Sequence, residues 1–287
     1  MQILTKNKIK EIRALEQHKG RREQHAWLAE GNRMVGDLLA SDAFECRKLV
    51  ATRSWWESHP EYAEKAEECY EVTSAEMQRV SLLQAPQDVL AVFDMTRKDA
   101  TSSETSEYSE SSEYSEYSDY SDYSENSDHS EPSTTLSLLL DEVQDPGNLG
   151  TIIRTADWFG VRDIYCAPGT ADCFNAKVVQ ATMSALARVR VHYFTSKDDV
   201  CDWLRHCQCP IYGTFLEGEN FYASQLQTPA VLVMGNEGRG ISSEVAALVT
   251  HKLLIPHFSS DGQHVESLNV SVATAICLSE LRRKLSV

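Results

Sequence analysis

"DPGNLGTIIRTADWFG", residues 145–160, is the stretch on which the fold turns. A glycine turn runs straight into a helical pattern, and Gly160 offers a C-terminal stop. Helix N-termini favour anions, so a phosphate-cradling loop is the first expectation. The details do not fit the usual phosphate loops. There is no Gly-Lys-Ser/Thr, and Gly147 and Gly150 do not make G-x-G-x-x-G. An arginine, Arg154, follows one turn into the helix instead.

Working outward, strand and helix patterns alternate from residue 136 to the end. "LSLLLDEV" reads as a buried strand before the quoted helix. "VRDIYCA", "RVRVHYF", "PIYGTFL", "AVLVMG" and "KLLIP" read as further strands. Helices are predicted over "NAKVVQATMSAL" and "SKDDVCDWLRHCQ", over "SSEVAALVT" behind a Ser cap, and over the long "LNVSVATAICLSELRRKL". Such alternation predicts an α/β fold with a mostly parallel sheet, whose ligands bind beyond the carboxyl ends of its strands. Three polar loops fall at those ends: "QDPGNLG", "GNEGRGIS" and "IPHFSSDGQHVESLN". No G-x-S-x-G elbow, H-E-x-x-H or kinase signature appears.

Composition bounds the rest. The chain has 287 residues, 42% of them hydrophobic, with no apolar run near the roughly 18 residues of a membrane helix. The charged N-terminus lacks a signal-peptide core, so a cytoplasmic protein is expected. The eight cysteines include no C-x-x-C, and they read as reduced thiols rather than disulfides or a metal site.

The net charge of −16 argues against nucleic acid until its distribution is considered. Residues 101–133 carry ten acids at period three with no Lys or Arg, which leaves −6 elsewhere. Serines, like charges and no aliphatics predict a disordered linker. It divides the chain into an N-terminal module over 1–97, a linker over 98–134 and a second domain over 135–287. The N-terminal module opens with Lys6, Lys8, Lys10, Arg13, Lys19, Arg21 and Arg22 against Glu11, Glu16 and Glu23, a balance of +4. The same pattern fits either phosphate attraction or a solvated amphipathic helix. After it, "CRKLVAT" reads as a strand and "EYAEKAEECY" as a helix within a small α/β module.

"DEVQDPGNLGTIIRTADWFGV", "VLVMGNEGRGIS" and "LLIPHFSSDGQHVESLNVSVATAICLSE" together resemble the three motifs of the SpoU (TrmH) family of RNA ribose 2′-O-methyltransferases, in the SPOUT superfamily. The resemblance covers essentially all of 136–287. "LAEGNRMV", behind its basic helix, more loosely resembles the family's accessory RNA-binding domain.

The resemblance implies a SPOUT-type trefoil-knotted sheet beside a smaller N-terminal α/β RNA-binding domain. It also implies a homodimer formed through the knotted domain. It implies S-adenosylmethionine as cofactor, held mostly by backbone groups at Gly235, Ile255 and Leu268, with no metal. It places Asn148 and Arg154 against the target ribose and phosphate. Glu237 would orient the substrate or fix the loops. Ser267 would cap the last helix, act in catalysis, or both, and Asn269 would bond the active-site loops. An arginine stays protonated at ordinary pH, so a phosphate clamp suits Arg154 better than a base role.

The expected function is therefore methyl transfer to the ribose 2′-hydroxyl of structured RNA, ribosomal RNA favoured over transfer RNA. Competing readings are an idle RNA-binding module, or a nucleotide-dependent oxidoreductase, against which the missing G-x-G-x-x-G counts. Two departures stand out: a long segment between Pro256 and Ser267, and Ser184 where the family's turn would have glycine.

Overall fold

The computed structural model describes residues 2–99, 136–259 and 265–285. The acidic tract, and the middle of the long 257–266 segment, lie outside the described residues.

The first elements are α1 (Lys6–Ala14), α2 (His18–Gln24), β1 (Ala26–Glu30), α3 (Asn32–Ser41), β2 (Phe44–Thr52), α4 (Arg53–Ser58), β3 (Ala66–Val72), α5 (Ser74–Val80) and β4 (Val89–Arg97). After residue 135 come β5 (Leu136–Asp141), α6 (Pro146–Trp158), β6 (Asp163–Cys166), α7 (Ala176–Thr182), β7 (Arg190–Tyr193) and α8 (Lys197–His206). The chain closes with β8 (Ile211–Asn220), β9 (Ala230–Gly235), α9 (Ser243–Ala246), β10 (His251–Leu254) and α10 (Val270–Leu285).

Two compact units emerge, and Asp172–Arg188 groups with Met1–Ser102 rather than with the rest of the second half. In this first unit the sheet runs β1-β4-β2-β3. Strand β4 is antiparallel to β1 and β2, and β3 is parallel to β2. Leu28, Val50, Tyr70, Leu90 and Val92 from the strands bury against Ile12, Met77 and Val80 from the helices. The segment carrying α7 is tied in by specific contacts. Phe174 stacks on Trp27 with ring centroids 5.2 Å apart, and Ser184 Oγ donates to Asp37 at 2.8 Å. Arg97 donates to the carbonyls of Leu186 and Ala187. The turn after α7 takes left-handed φ values of +49° at Met183 and +71° at Ser184, so the serine does occupy a glycine-like conformation.

Two expectations are corrected here. "EYAEKAEECY" is not a helix: a short turn over Pro60–Glu64 leads into β3. Arg21 is no surface cation. It is 2% exposed, and its guanidinium donates to Asp172 Oδ2 at 2.6 and 3.0 Å and to the carbonyls of Leu15 and Glu16.

The second unit holds a six-stranded sheet in the order β10-β8-β9-β5-β6-β7, parallel throughout. Strand β5 lies inside this sheet with every residue buried, as expected of a parallel strand covered on both faces. Its neighbour β9 is equally buried and delivers Gly235 at its end. Helix α6 starts after Asp145, whose carboxylate accepts the Asn148 N–H at 2.8 Å. It ends before Gly160, which takes φ +69°. Helix α10 packs on α6, and Arg282 ties the two by donating to the carbonyls of Phe159 and Gly160. The predicted Ser cap of α9 does not form, since Ser242 makes no side-chain capping bond.

Candidate active site

The three polar loops of the sequence converge at the carboxyl ends of β5 and β9. The centre is a chain of hydrogen bonds, one residue from each loop. Asn269 Nδ2 donates to Asn148 Oδ1 at 2.9 Å, and Asn148 Nδ2 donates to Glu237 Oε1 at 3.0 Å. Glu237 also accepts the backbone N–H groups of Gln144 and Asp145, at 3.3 and 3.2 Å. A carboxylate can only accept, so it forces the Asn148 amide nitrogen toward itself and its oxygen toward Asn269. The orientation of Asn148 is thereby fixed from both sides.

Each residue is there for a local reason. Asn148 lies in the first turn of α6, whose start is set by Asp145 and by Pro146 at the first helical position. Glu237 sits in a short loop closed by the reciprocal backbone bonds of Asn236 and Gly240, each 2.9 Å. Gly235 cannot be replaced there, because an added Cβ would lie 2.2 Å from the Gly240 backbone. Asn269 is the cap of α10: its Oδ1 accepts from Ser271 N, Ser271 Oγ and Val272 N at 3.0, 2.6 and 3.3 Å. The predicted Ser267 cap is therefore corrected, since the capping bonds fall to Asn269. Ser267 itself is exposed.

Partial burial pushes the Glu237 carboxyl up, but the Asn148 amide and the loop N–H groups outweigh it and hold the group below its ordinary range. Glu237 is thus an ionised anchor and a poor proton acceptor.

Arg154 projects from the exposed side of α6, two turns beyond the loop. No side-chain bond or ion pair of Arg154 is found among the described residues. Its guanidinium is free to meet a ligand. The residues expected around a cofactor occupy the same ends of the sheet. Gly235 closes β9, Ile255 directly follows β10, and Leu268 precedes Asn269 with 45% of its surface exposed. Backbone groups and apolar side chains predominate among them, which suits a cofactor recognised through its shape and main-chain bonds. No cluster of metal ligands is found among the described residues.

Sequence reasoning missed a second layer. The loop residue Asn236 accepts at Oδ1 from the N–H groups of Gly238 and Arg239, at 3.0 and 3.1 Å. Its Nδ2 donates to the Glu142 carbonyl at 2.8 Å. Asp141 Oδ2 accepts the Ser242 N–H at 2.6 Å. These residues were visible in the quoted motifs, but nothing in the one-dimensional pattern pairs residue 142 with residue 236.

Residues 135–279 match the SpoU rRNA methylase family, and residues 6–91 match the MRM3-like substrate binding domain. A solved structure from Porphyromonas gingivalis, described as an RNA methyltransferase of the TrmH family, is 38% identical, with a TM-score of 0.78 over 99% of this chain and 100% of that one. An AdoMet-bound rRNA methyltransferase from Sinorhizobium meliloti is 29% identical, with a TM-score of 0.77 over 99% of this chain and 97% of that one. The 23S rRNA (guanosine(2553)-2'-O)-methyltransferase RlmP of Bacillus subtilis is 28% identical over 96% of both chains. With its loop residues joined at the ends of a parallel sheet and half its length matched to one family, the chain belongs to the SpoU rRNA methylases.

Proposed function

We propose that the protein transfers a methyl group from S-adenosylmethionine to a ribose 2′-hydroxyl of ribosomal RNA. The observation that carries this reading is the bonded set Asn148, Glu237 and Asn269, drawn from three separate loops, with the unpaired Arg154 on the same helix as Asn148. When bound, the cofactor supplies a methyl group already activated as a sulfonium. The chain's own residues then have positioning to do. Arg154 holds the phosphate of the target nucleotide, a role suited to a guanidinium that stays charged. Asn148, its amide locked by Glu237 and Asn269, orients the target ribose. Positioning of this kind supplies a large share of such rate enhancements. Gly235, Ile255 and Leu268 line the cofactor side, and Ser267 borders it.

The reading extends to the rest of the molecule. The 135–287 domain is the catalytic one, 98–134 is a linker, and 1–97 binds RNA, supported by the exposed Lys6, Lys10, Arg13 and Lys19. Binding should weaken with salt as phosphate contacts release counterions. We propose the trefoil knot on the ground that the chain leaves the edge strand β10 and returns to pack α10 on α6 and β9. We propose a homodimer through α6 and α10, where Trp158 and Val272 are 85% and 48% exposed, with Arg154 able to act on the partner's substrate. No described helix is long and apolar enough to cross a membrane.

The test is transfer of labelled methyl from S-adenosylmethionine to deproteinised ribosomal RNA and, separately, to transfer RNA. Products are mapped as alkali-resistant sites. Transfer to ribosomal RNA that Arg154→Ala abolishes supports the reading. Transfer to transfer RNA alone overturns the substrate, cofactor binding without transfer to either RNA points to a different RNA substrate, and no cofactor binding at all favours an idle RNA-binding module.

A further inference from the structure

Behind the bonded asparagines lies a residue that breaks a local rule. Glu142, at the end of β5, takes φ +63°, a left-handed conformation that L side chains rarely adopt. It sits against a second violation. Lys197 is the first residue of α8, where the helix dipole disfavours a cation. The two meet: Lys197 Nζ lies 2.6 Å from Glu142 Oε1, and Arg239 of the 236–240 loop pairs with the other carboxylate oxygen. The pairing with Glu142 holds the Lys197 ammonium in its charged form, against partial burial. Local rules are broken together where a site demands it.

The left-handed turn has a geometric consequence. It directs the Glu142 carbonyl to the Asn236 amide at 2.8 Å, while the carboxylate takes Arg239. One residue therefore grips both ends of the segment 236–239 that carries Glu237. Asn236 adds internal bonds to the Gly238 and Arg239 N–H groups, so the segment behaves as one body. Moving Glu142 moves Glu237, and Glu237 sets the Asn148 amide.

We propose that Glu142 is a positioning residue for methyl transfer, acting through Arg239 and Asn236 to hold Glu237 on Asn148. This rests on the proposed reaction for its kinetic consequence, though not for its structural one. A purely structural role would lower stability alone. A positioning role lowers turnover while the fold survives.

The experiment uses the full chain with Glu142→Gly, which frees the backbone to keep the left-handed turn but removes the carboxylate. Arg239→Gln serves as a second variant that cannot strain the fold, its side chain being 70% exposed. Amide hydrogen exchange should show residues 236–240 losing protection tenfold or more in both variants, with α10 and β5 unchanged. In methyl transfer to ribosomal RNA, kcat should fall about tenfold with KM for S-adenosylmethionine within twofold. The double variant Glu142→Gly/Glu237→Gln should be no slower than Glu237→Gln alone, because Glu142 acts through Glu237. Unchanged exchange at 236–240, or losses that multiply in the double variant, overturns the proposal. If the wild type transfers no methyl to ribosomal RNA, the proposed reaction fails while exchange alone still decides the role of Glu142.

Discussion

Asn269 joins two tasks in one side chain, and a single-atom change separates them. In Asn269→Asp the oxygen that caps α10 remains, and Asp caps helices about as well as Asn. An added negative charge at that N-terminus contributes about 0.3–1 kcal/mol of stability. What disappears is the donor to Asn148 Oδ1, now 2.9 Å away. Asn148 cannot compensate by flipping, because its oxygen would then face the Glu237 carboxylate at 3.0 Å. With acceptors on both sides, its amide loses a defined orientation. The expected result is an unchanged or slightly higher Tm with methyl transfer to ribosomal RNA down by about 10²-fold, the typical penalty of a misplaced group. Asn269→Ala differs in kind. It loses the cap and the bond to Asn148, together about 1.5 kcal/mol, or about 3–6 °C in Tm. A reversed chain should then recover part of the geometry, at the cost of the Asp145 N–H bond that Glu237 Oε1 now accepts. In Asn269→Asp/Glu237→Gln, Asn148 donates to Asp and accepts from Gln. Calorimetry and filter-bound methyl counts on the four proteins suffice. Full activity in Asn269→Asp, or a Tm loss equal to that of the alanine variant, refutes the reasoning.

Other consequences follow from the same geometry. Arg154→Ala should abolish detectable transfer while shifting stability by less than about 0.5 kcal/mol, because the side chain is exposed and carries no bond among the described residues; Arg154→Lys should recover only a fraction, since lysine cannot make a bidentate phosphate contact. The Glu237 carboxyl is depressed in the fold, so its stabilising contribution is complete above its unfolded value of about 4.3 and is lost only as pH falls through the lower folded value. The pH–rate profile should therefore show no acid limb from Glu237 between about pH 5 and 9, and an acid limb near pH 6 that vanishes in Glu237→Gln would contradict this. Arg21→Met should destabilise the first unit by about 3–5 kcal/mol in urea melts, because it strands the buried Asp172 carboxylate. The variant should leave the salt slope of RNA binding unchanged, which a phosphate-contacting Arg21 could not do.

What the sequence made legible was loop chemistry, and what it hid was pairing. The three motif loops were identifiable because Asn148, Glu237 and Asn269 stand at fixed places after apolar strands. The parallel sheet followed from uninterrupted runs such as those of β5 and β9. Elsewhere local signals lost to tertiary ones. Residues 61–70 are rich in Ala, Glu and Lys, good helix formers, yet "AEECYEV" serves as β3 because β2 needs a parallel neighbour and Tyr70 and Val72 bury beneath it. Asn269 is as competent a cap by chemistry as Ser267, the cap expected from the sequence. Packing chose between them: with Val270, Ala273, Thr274, Cys277, Leu278 and Leu281 facing inward, the helix begins at Val270 and Asn269 falls at the cap.

The basic N-terminus misled for a related reason. Charge counts cannot distinguish Lys19, open to solvent, from Arg21, which is sealed against Asp172. Glu142 is the extreme case. Nothing in "DEVQDP" announces a left-handed glutamate, since Gly or Asn would be the expected occupant of such a turn. Its partners are residues 197, 236 and 239, far along the chain. A composition that violates a local preference is thus informative only once its distant partners are known. That is why the loop residues that bond to one another could be read from motifs, while those that hold them in place could not.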